Sequence, residues 1–193
     1  MNAGKSKKLS RRSVLMTGAA SGLVVSGLPA LAQTLDGNDE VRRVSGFQTY
    51  RWQDHFSDLK NGAILSDTVG RYLYFWSEDG QIEKIYPTSV PLTDEMTRRG
   101  RTTIVRLREG PDWRPTPSML KRDPTLPEYV GPGPQNPLGT HALYLGWEYF
   151  RIHGTNDIRK IGRKSSSGCI GLYNEQIAEL FQLVKVGTQV MLI

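Results

Sequence analysis

One stretch of this 193-residue chain carries a helical pattern, and the other apolar residues fall into short runs typical of β-strands. From residue 174 to residue 187, apolar side chains recur every three or four positions, as on the buried face of a helix. Asn174 is placed to cap the start, Glu175 lies in the first turn and Gly187 marks the end. This balance predicts a mainly β domain with one or two helices, built as a small sandwich or barrel-like sheet. The apolar helix positions are Ile177, Leu180, Phe181 and Val184.

Turn residues separate the β-type runs from one another. Asp79 and Gly80 supply hairpin turn chemistry after the first run. Between residues 111 and 137 lie eight prolines, which break regular structure and predict a long loop of the kind that often covers a site. The predicted strands are 72–76, 81–90, 102–107, 141–145, 149–153 and 188–193.

The first 32 residues have the organisation of an export signal. A basic start leads into Arg11 and Arg12, whose setting resembles a twin-arginine signal, and an apolar stretch of small residues follows. A small-x-small cleavage pattern ends at Ala32. The alternatives are an uncleaved membrane anchor and export by the general secretory route. An exported chain of this kind is predicted to act in the periplasm.

The chain beyond the signal is predicted to divide into a weakly patterned lead-in, 33–68, and one domain, 69–193. Its charge is nearly balanced, because the last 161 residues hold 20 basic and 19 acidic side chains. A nucleic-acid-binding protein would keep a basic face after the signal is removed, and none is evident. No apolar run reaches the roughly 20 residues of a membrane span, so none is expected in the mature chain.

Cys169 is the chain's single cysteine, which excludes an intrachain disulfide and a multi-cysteine zinc site. In an exported protein a lone thiol calls for a partner or a chemical role. His153 lies sixteen residues earlier, and an imidazole is the usual base that activates a cysteine nucleophile. Gly168 lets the chain turn tightly, and a following helix start could lower the pKa of the thiol. The alternatives are a buried structural thiol and a metal site formed by His141, His153 and Cys169.

Two motifs, taken together, narrow the function. The chain reads H-G-T-N at 153–156 and S-x-G-C-I-x-L-x-N at 166–174, with N-P-L-G-T upstream at 136–140. In these motifs and their separation the chain resembles the L,D-transpeptidase catalytic domain family (YkuD/ErfK type), over roughly 71–193. The resemblance implies a compact β-sandwich with a helix behind the strand of the nucleophile.

The resemblance also implies a reaction on peptidoglycan stem peptides, with no metal or organic cofactor. A cysteine attacks the carbonyl at the L-centre of a diamino acid, D-alanine leaves, and an amine captures the acyl-enzyme. Capture by a second stem gives a 3–3 cross-link, and capture by a protein lysine attaches that protein to the wall. The alternatives are an L,D-carboxypeptidase or endopeptidase that hydrolyses stems or cross-links, a non-catalytic wall-binding module, and a thiol redox sensor.

Carried over to this sequence, the family pattern makes Cys169 the nucleophile and His153 its base. Gly168 and Cys169 match the turn whose amides bind the oxyanion, with Ser167 beside them. The carbonyl of Gly154 is the expected partner that orients the imidazole. Further candidates for binding substrate are Tyr144, Arg151 and Trp113.

Two positions depart from the commonest family pattern. Ser167 stands where many members have His, and Gly171 stands where most have Arg. An arginine there would supply a fixed cation with several donors. Its absence leaves open how a substrate carboxylate is recognised. The side chains that could replace it are Arg151, Arg159, Arg163 and Lys164.

Overall fold

The computed structural model describes residues 48–193. The predicted export signal and the first part of the lead-in, up to residue 47, lie outside the described residues. The helices are α1 (Pro117–Arg122) and α2 (Asn174–Leu183). The strands are β1 (Ala63–Asp67), β2 (Tyr72–Trp76), β3 (Glu83–Pro87), β4 (Val90–Pro91), β5 (Gly100–Glu109), β6 (His141–Leu145), β7 (Arg151–His153), β8 (Lys164–Ser166), β9 (Ile170–Gly171) and β10 (Gln189–Leu192). Short 3-10 turns cover Trp52–Asp54, Asp94–Met96 and Ile158–Lys160.

Eight strands form one curled sheet in the order β3-β2-β1-β10-β5-β6-β7-β9. Neighbours pair antiparallel except at two junctions, β1 with β10 and β7 with β9. The strands β4 and β8 pair separately. The predicted mainly β class with one or two helices is therefore confirmed. Between residues 48 and 193, no helix is both long and apolar enough to cross a bilayer.

Helix α2 covers one face of the sheet, as its apolar pattern requires. Ile177 and Leu180 are fully buried there and pack with residues of the central strands, such as Ile64, Phe75 and Ile152. A second apolar cluster covers the other face of β1 and β2. Its members are Phe56, Leu59, Ala63, Leu65, Tyr74 and Trp76. Since both faces of β1 are buried, all five of its residues are buried, and the alternation typical of a half-exposed strand disappears.

This burial corrects the predicted domain boundary at residue 69. The stretch 48–68, taken from sequence as part of a lead-in, contains β1, which lies inside the sheet between β2 and β10. Its continuous burial removed the two-residue period that marks a strand in sequence. The predicted strand 81–90 is also two strands, because β3 ends at Pro87 and β4 joins β8 in the smaller sheet.

Replacing Leu180 with Ala tests the packing of α2. The deleted side chain is fully buried, so we expect a loss of about 2–5 kcal/mol in the free energy of unfolding. Val186→Ala is the control, because Val186 is 59% exposed and its loss should cost within about 0.5 kcal/mol. Urea denaturation measures both values, and equal losses in the two variants would contradict this packing.

Candidate active site

A cavity of about 530 Å³ opens where β7 meets the loop that precedes β9. Both predicted catalytic side chains, His153 and Cys169, line it. Its walls come from the turn before β7, the loop before β9, and the proline-rich segment 111–137 with α1. Trp113, a candidate for binding substrate, lines the cavity from that segment.

The parallel pairing of β7 with β9 brings His153 and Cys169 together. Ile152 lies opposite Ile170 and His153 opposite Gly171, so Cys169 comes one step before β9 beside the start of β7. Both side chains are half-buried. Two residues that are distant in sequence thus lie at neighbouring positions on one sheet edge.

The imidazole of His153 has its tautomer fixed by the backbone. Its Nδ1 lies 2.5 Å from the carbonyl oxygen of Gly154, and a carbonyl can only accept, so Nδ1 carries the proton. The lone pair of Nε2 is left to take a proton. Burial lowers the pKa of His153 to about 4, the Gly154 carbonyl opposes this, and the charges of Arg151 and Lys160 add to the lowering. The ring is therefore neutral at neutral pH.

The sulphur of Cys169 rests as a thiol. Its Sγ donates to the carbonyl oxygen of Tyr149 over 3.5 Å, so within residues 48–193 its hydrogen bond goes to backbone and not to the imidazole. Burial raises the pKa of this thiol, and Arg151 opposes the rise through its charge and its backbone and side-chain donors. The expected lowering by a helix start is wrong, since β9 separates Cys169 from α2 and desolvation outweighs the other influences.

The loop before Cys169 is closed by one hydroxyl. Ser166 Oγ donates to the Cys169 carbonyl oxygen at 2.5 Å and accepts from Gly168 N–H at 3.4 Å. Gly168 has a φ of 138°, a conformation that side chains rarely allow. Across the cavity, Arg122 of α1 donates to Ser167 Oγ at 3.0 Å. The loop is thus held in shape from within and tied to the covering segment.

Asn174 has a role that sequence reasoning missed. The predicted cap position is wrong, because Tyr173 occupies it and has no side-chain cap bond. The Asn174 amide instead accepts from Thr140 N–H at 3.2 Å and Thr155 N–H at 3.1 Å, and donates to the Thr155 carbonyl at 2.9 Å. It fastens the N-P-L-G-T turn to the H-G-T turn, and so fixes the Gly154 carbonyl that orients His153. The only sequence signal was its place in the second motif.

A second asparagine organises the covering segment. Asn136 is fully buried, and its amide donates to the carbonyls of Pro111 at 2.7 Å and Gly131 at 3.0 Å. Its Oδ1 accepts from Leu138 N–H at 2.8 Å. The long loop predicted from eight prolines is therefore an ordered segment, anchored at its end and carrying α1.

Comparison with known proteins identifies the family. The family model described as the L,D-transpeptidase catalytic domain matches residues 61–192. A putative L,D-transpeptidase of Fuscovulum blasticum is 52% identical over 186 residues, covering 96% of this chain and 98% of the relative. The chain belongs to the L,D-transpeptidase family.

More distant L,D-transpeptidases agree in sequence and fold. The probable L,D-transpeptidase ErfK/SrfK of Escherichia coli is 35% identical over 86% of this chain, and the match spans 56% of that longer protein. L,D-transpeptidase 3 of Mycobacterium tuberculosis has the same fold, with a TM-score of 0.54 at 15% identity, over 69% of this chain and 61% of that one. This chain thus spans little more than half of some relatives it matches.

Gly171, where the L,D-transpeptidase motif departs, lies close against Ser89. Gly171 and Ser89 exchange two backbone hydrogen bonds, of 2.8 and 3.1 Å. A Cβ on Gly171 would collide with Ser89 Oγ, so a side chain at this position requires that hydroxyl to turn away. Of the four proposed replacements for the arginine, Arg151 lines the cavity, while Arg159 pairs with Asp157 at the surface at 2.8 Å.

The remaining candidates fall in other places. Tyr144 stands between two guanidinium groups, 3.7 Å from that of Arg106 and 5.0 Å from that of Arg151. His141, considered as a metal ligand, packs at 4.8 Å on the ring of Phe181 in α2. Among residues 48–193, no three side chains of the metal-binding types lie close enough to hold an ion together.

Gly139→Ala tests the contact between the two turns of this L,D-transpeptidase. Gly139 has a φ of 63°, and a Cβ there would collide with the backbone of Thr155 and Gly154. Gly162→Ala is matched, because its φ is 80° but its Cβ would meet open space. Both variants carry the strain of a positive φ, so the difference between them isolates the collision.

We expect Gly139→Ala to lower the free energy of unfolding by about 1–3 kcal/mol more than Gly162→Ala does, which is the usual cost of overpacking. Urea denaturation measures this difference. Equal losses would show that the two turns can move apart freely.

Proposed function

We propose that this protein is a peptidoglycan L,D-transpeptidase with Cys169 as nucleophile and His153 as general base. The observation that carries the proposal is the meeting of these two side chains in one cavity, with the Nε2 lone pair of His153 left to accept a proton. Membership in the L,D-transpeptidase family supports a peptidoglycan stem peptide as the substrate. The named relatives are L,D-transpeptidases, which supports acyl transfer as the reaction.

The first half of the proposed reaction forms a thioester. Nε2 of His153 takes the proton of the Cys169 thiol as the sulphur attacks the carbonyl carbon at the L-centre of the diamino acid. The carbonyl oxygen becomes an oxyanion, which the backbone amides of Gly168 and Cys169 face. Because Gly168 N–H bonds Ser166 Oγ only weakly at 3.4 Å, it can exchange that partner for the oxyanion. The imidazolium then protonates the departing amine of D-alanine.

The second half transfers the acyl group. An amine of a second stem attacks the thioester carbonyl, His153 takes the proton of the amine, and the sulphur leaves with a proton. The product is a 3–3 cross-link, or a wall attachment when the amine belongs to a protein. Attack by water would give a carboxylate instead, which is the hydrolase alternative.

The charges of the resting site favour general-base catalysis over a stored ion pair. Burial lowers the pKa of His153 and raises that of Cys169, so both groups are neutral before substrate arrives. A neutral pair costs less to bury than two ions. We infer that the proton moves only as the new carbon–sulphur bond forms.

We also propose that the enzyme acts in the periplasm, where its substrate lies. The motivation is the signal-like segment 1–32 with its paired arginines. Fusing this segment to a reporter tests the route, since a twin-arginine signal should fail when Arg11 and Arg12 are replaced by Lys. Export of the doubly substituted fusion would indicate the general route.

Incubation of the enzyme with disaccharide tetrapeptides tests the reaction. We expect cross-linked dimers and released D-alanine by mass spectrometry, and neither from Cys169→Ala. His153→Ala should slow the reaction by about 10²- to 10⁴-fold. His141→Ala is the matched control, because this histidine packs on Phe181 and should leave the rate nearly unchanged.

Other products would redirect the assignment. Shortened monomers alone would identify a hydrolase. Binding to sacculi without a covalent carbapenem adduct on Cys169 would identify a wall-binding module.

The pH dependence of acylation tests the neutral histidine. Below its pKa the imidazole holds a proton and cannot act as base, so a lowered pKa keeps the enzyme active at more acidic pH. We expect kcat/KM for acylation to fall with an acid limb near pH 4, rather than near the ordinary histidine value of about 6.5. An acid limb close to 6.5 would show that the imidazole is solvated in the working enzyme.

A further inference from the structure

We propose that Arg151 stabilises the Cys169 thiolate: its guanidinium faces the sulphur and holds the negative charge that appears when the thiol proton passes to His153. This role rests on the proposed nucleophile. In the step concerned, the S–H bond breaks, its electron pair stays on Sγ, and an N–H bond forms at Nε2 of His153. Arg151 keeps all its protons throughout.

The sheet register places Arg151 beside the sulphur. Ile152 pairs with Ile170 in the parallel β7–β9 ladder, so the position before each brings Arg151 opposite Cys169. The two side chains also share an acceptor. The carbonyl oxygen of Tyr149 takes a hydrogen bond from Cys169 Sγ at 3.5 Å and from Arg151 Nη1 at 3.2 Å. Donors on both groups therefore converge on one oxygen.

A ladder of stacked groups holds the guanidinium in place. Arg106 of β5, Tyr144 of β6 and Arg151 of β7 are register partners on neighbouring strands. The Tyr144 ring lies between the two guanidinium groups, at 3.7 Å from Arg106 and 5.0 Å from Arg151. A cation against an aromatic face is attracted to it. The row ends at Cys169, so its last fixed positive charge stands next to the thiol.

One donor of Arg151 has no acceptor in the resting site. Its Nε is buried, and among the described residues none accepts a hydrogen bond from it. A buried donor without a partner is unfavourable, and a thiolate is a far stronger acceptor than a thiol, whose sulphur accepts only weakly. Loss of the proton also ends the Sγ donation to Tyr149, which frees the sulphur to accept. We therefore expect the thiolate, as the stronger acceptor, to take a hydrogen bond from this donor in the reacting state.

Other charges surround the sulphur and must be separated from Arg151. His153 shares its strand, Tyr149 and Glu148 lie in the turn before it, and Lys160 lies in the 3-10 turn that follows. The covering segment contributes Arg114, Arg122 and Asp123. Of the described groups, Arg151 is the one whose charge and donors oppose the rise in the pKa of Cys169. The prediction is therefore specific to this arginine.

Titration of the thiol tests the proposal without any peptidoglycan substrate. Cys169 is the only cysteine, so alkylation by iodoacetamide and thiolate absorbance near 240 nm both report one sulphur. We expect Arg151→Gln to raise the apparent thiol pKa by about one unit, which lowers alkylation at neutral pH about tenfold. Arg151→Lys keeps the positive charge but not the several donors of the planar guanidinium, so it should lower the alkylation rate less than Arg151→Gln does. Arg159→Gln is the control, since Arg159 pairs with Asp157 and should leave the titration unchanged.

Three results would overturn the proposal. These are an unchanged titration in folded Arg151→Gln, an equal shift in Arg159→Gln, or an unaltered thiol pKa together with a raised KM for stem peptide, which would make Arg151 a substrate ligand.

If Arg151→Gln does not fold, Tyr144→Leu removes the ring that positions the guanidinium. Tyr144→Leu should also raise the apparent pKa of the thiol and slow its alkylation about threefold. An unchanged titration in Tyr144→Leu would contradict the role proposed for Arg151. A shift in these variants with no cross-linking by the wild type would leave this inference standing and reject the proposed function.

Discussion

The parallel pairing of β7 with β9 is the interaction on which the site depends. Parallel strands need a crossover between them, and here the chain from 154 to 169 leaves one edge of the sheet and returns beside it. The pairing sets His153 and Cys169 at neighbouring positions, and the crossover supplies the loop that exposes the cysteine. Asn174 holds the neighbouring loops together, because its side-chain amide joins the turn after β7 to the turn before β6. Burial of Ile152 and Ile170 in the core keeps this short ladder in register.

Desolvation determines which protonation states this arrangement favours. A half-enclosed cavity penalises both a thiolate and an imidazolium, so the pKa of the acid rises and that of the base falls. The Gly154 carbonyl and Arg151 act against these shifts from opposite ends of the pair, one on the imidazole and one on the sulphur. Both groups are therefore neutral in the resting site. A neutral thiol also resists oxidation, because a thiol reacts with oxidants far more slowly than a thiolate.

Sequence reasoning named His153 and Cys169, which the fold brings into one cavity, but it did not find the groups that support them. His153 and Cys169 stand in motifs whose residue types follow from their chemistry, and the strands 72–76 and 141–145 follow from local β-type runs. By contrast, β1 is buried on both faces, so its sequence does not alternate between apolar and polar residues. Without that alternation, the stretch was predicted to be part of a lead-in. Asparagine is a residue type preferred at the start of a helix, so the local sequence predicted that Asn174 caps α2. Its actual partners, Thr140 and Thr155, are 34 and 19 residues away, and only the fold brings them near.

The departure at Gly171 and the position of Arg151 belong to one arrangement. Ser89 pairs with Gly171 so closely that a side chain at 171 would need the space of the serine hydroxyl. The serine hydroxyl would have to turn away before a side chain at 171 could approach the sulphur. On the β7 side, Arg151 already has a stacking partner and a carbonyl to bond. An arginine at 171 would add a fifth basic side chain to a cavity that is already lined by Arg114, Arg122, Arg151 and Lys160. With glycine at 171, the fixed positive charge beside Cys169 comes from Arg151 on β7.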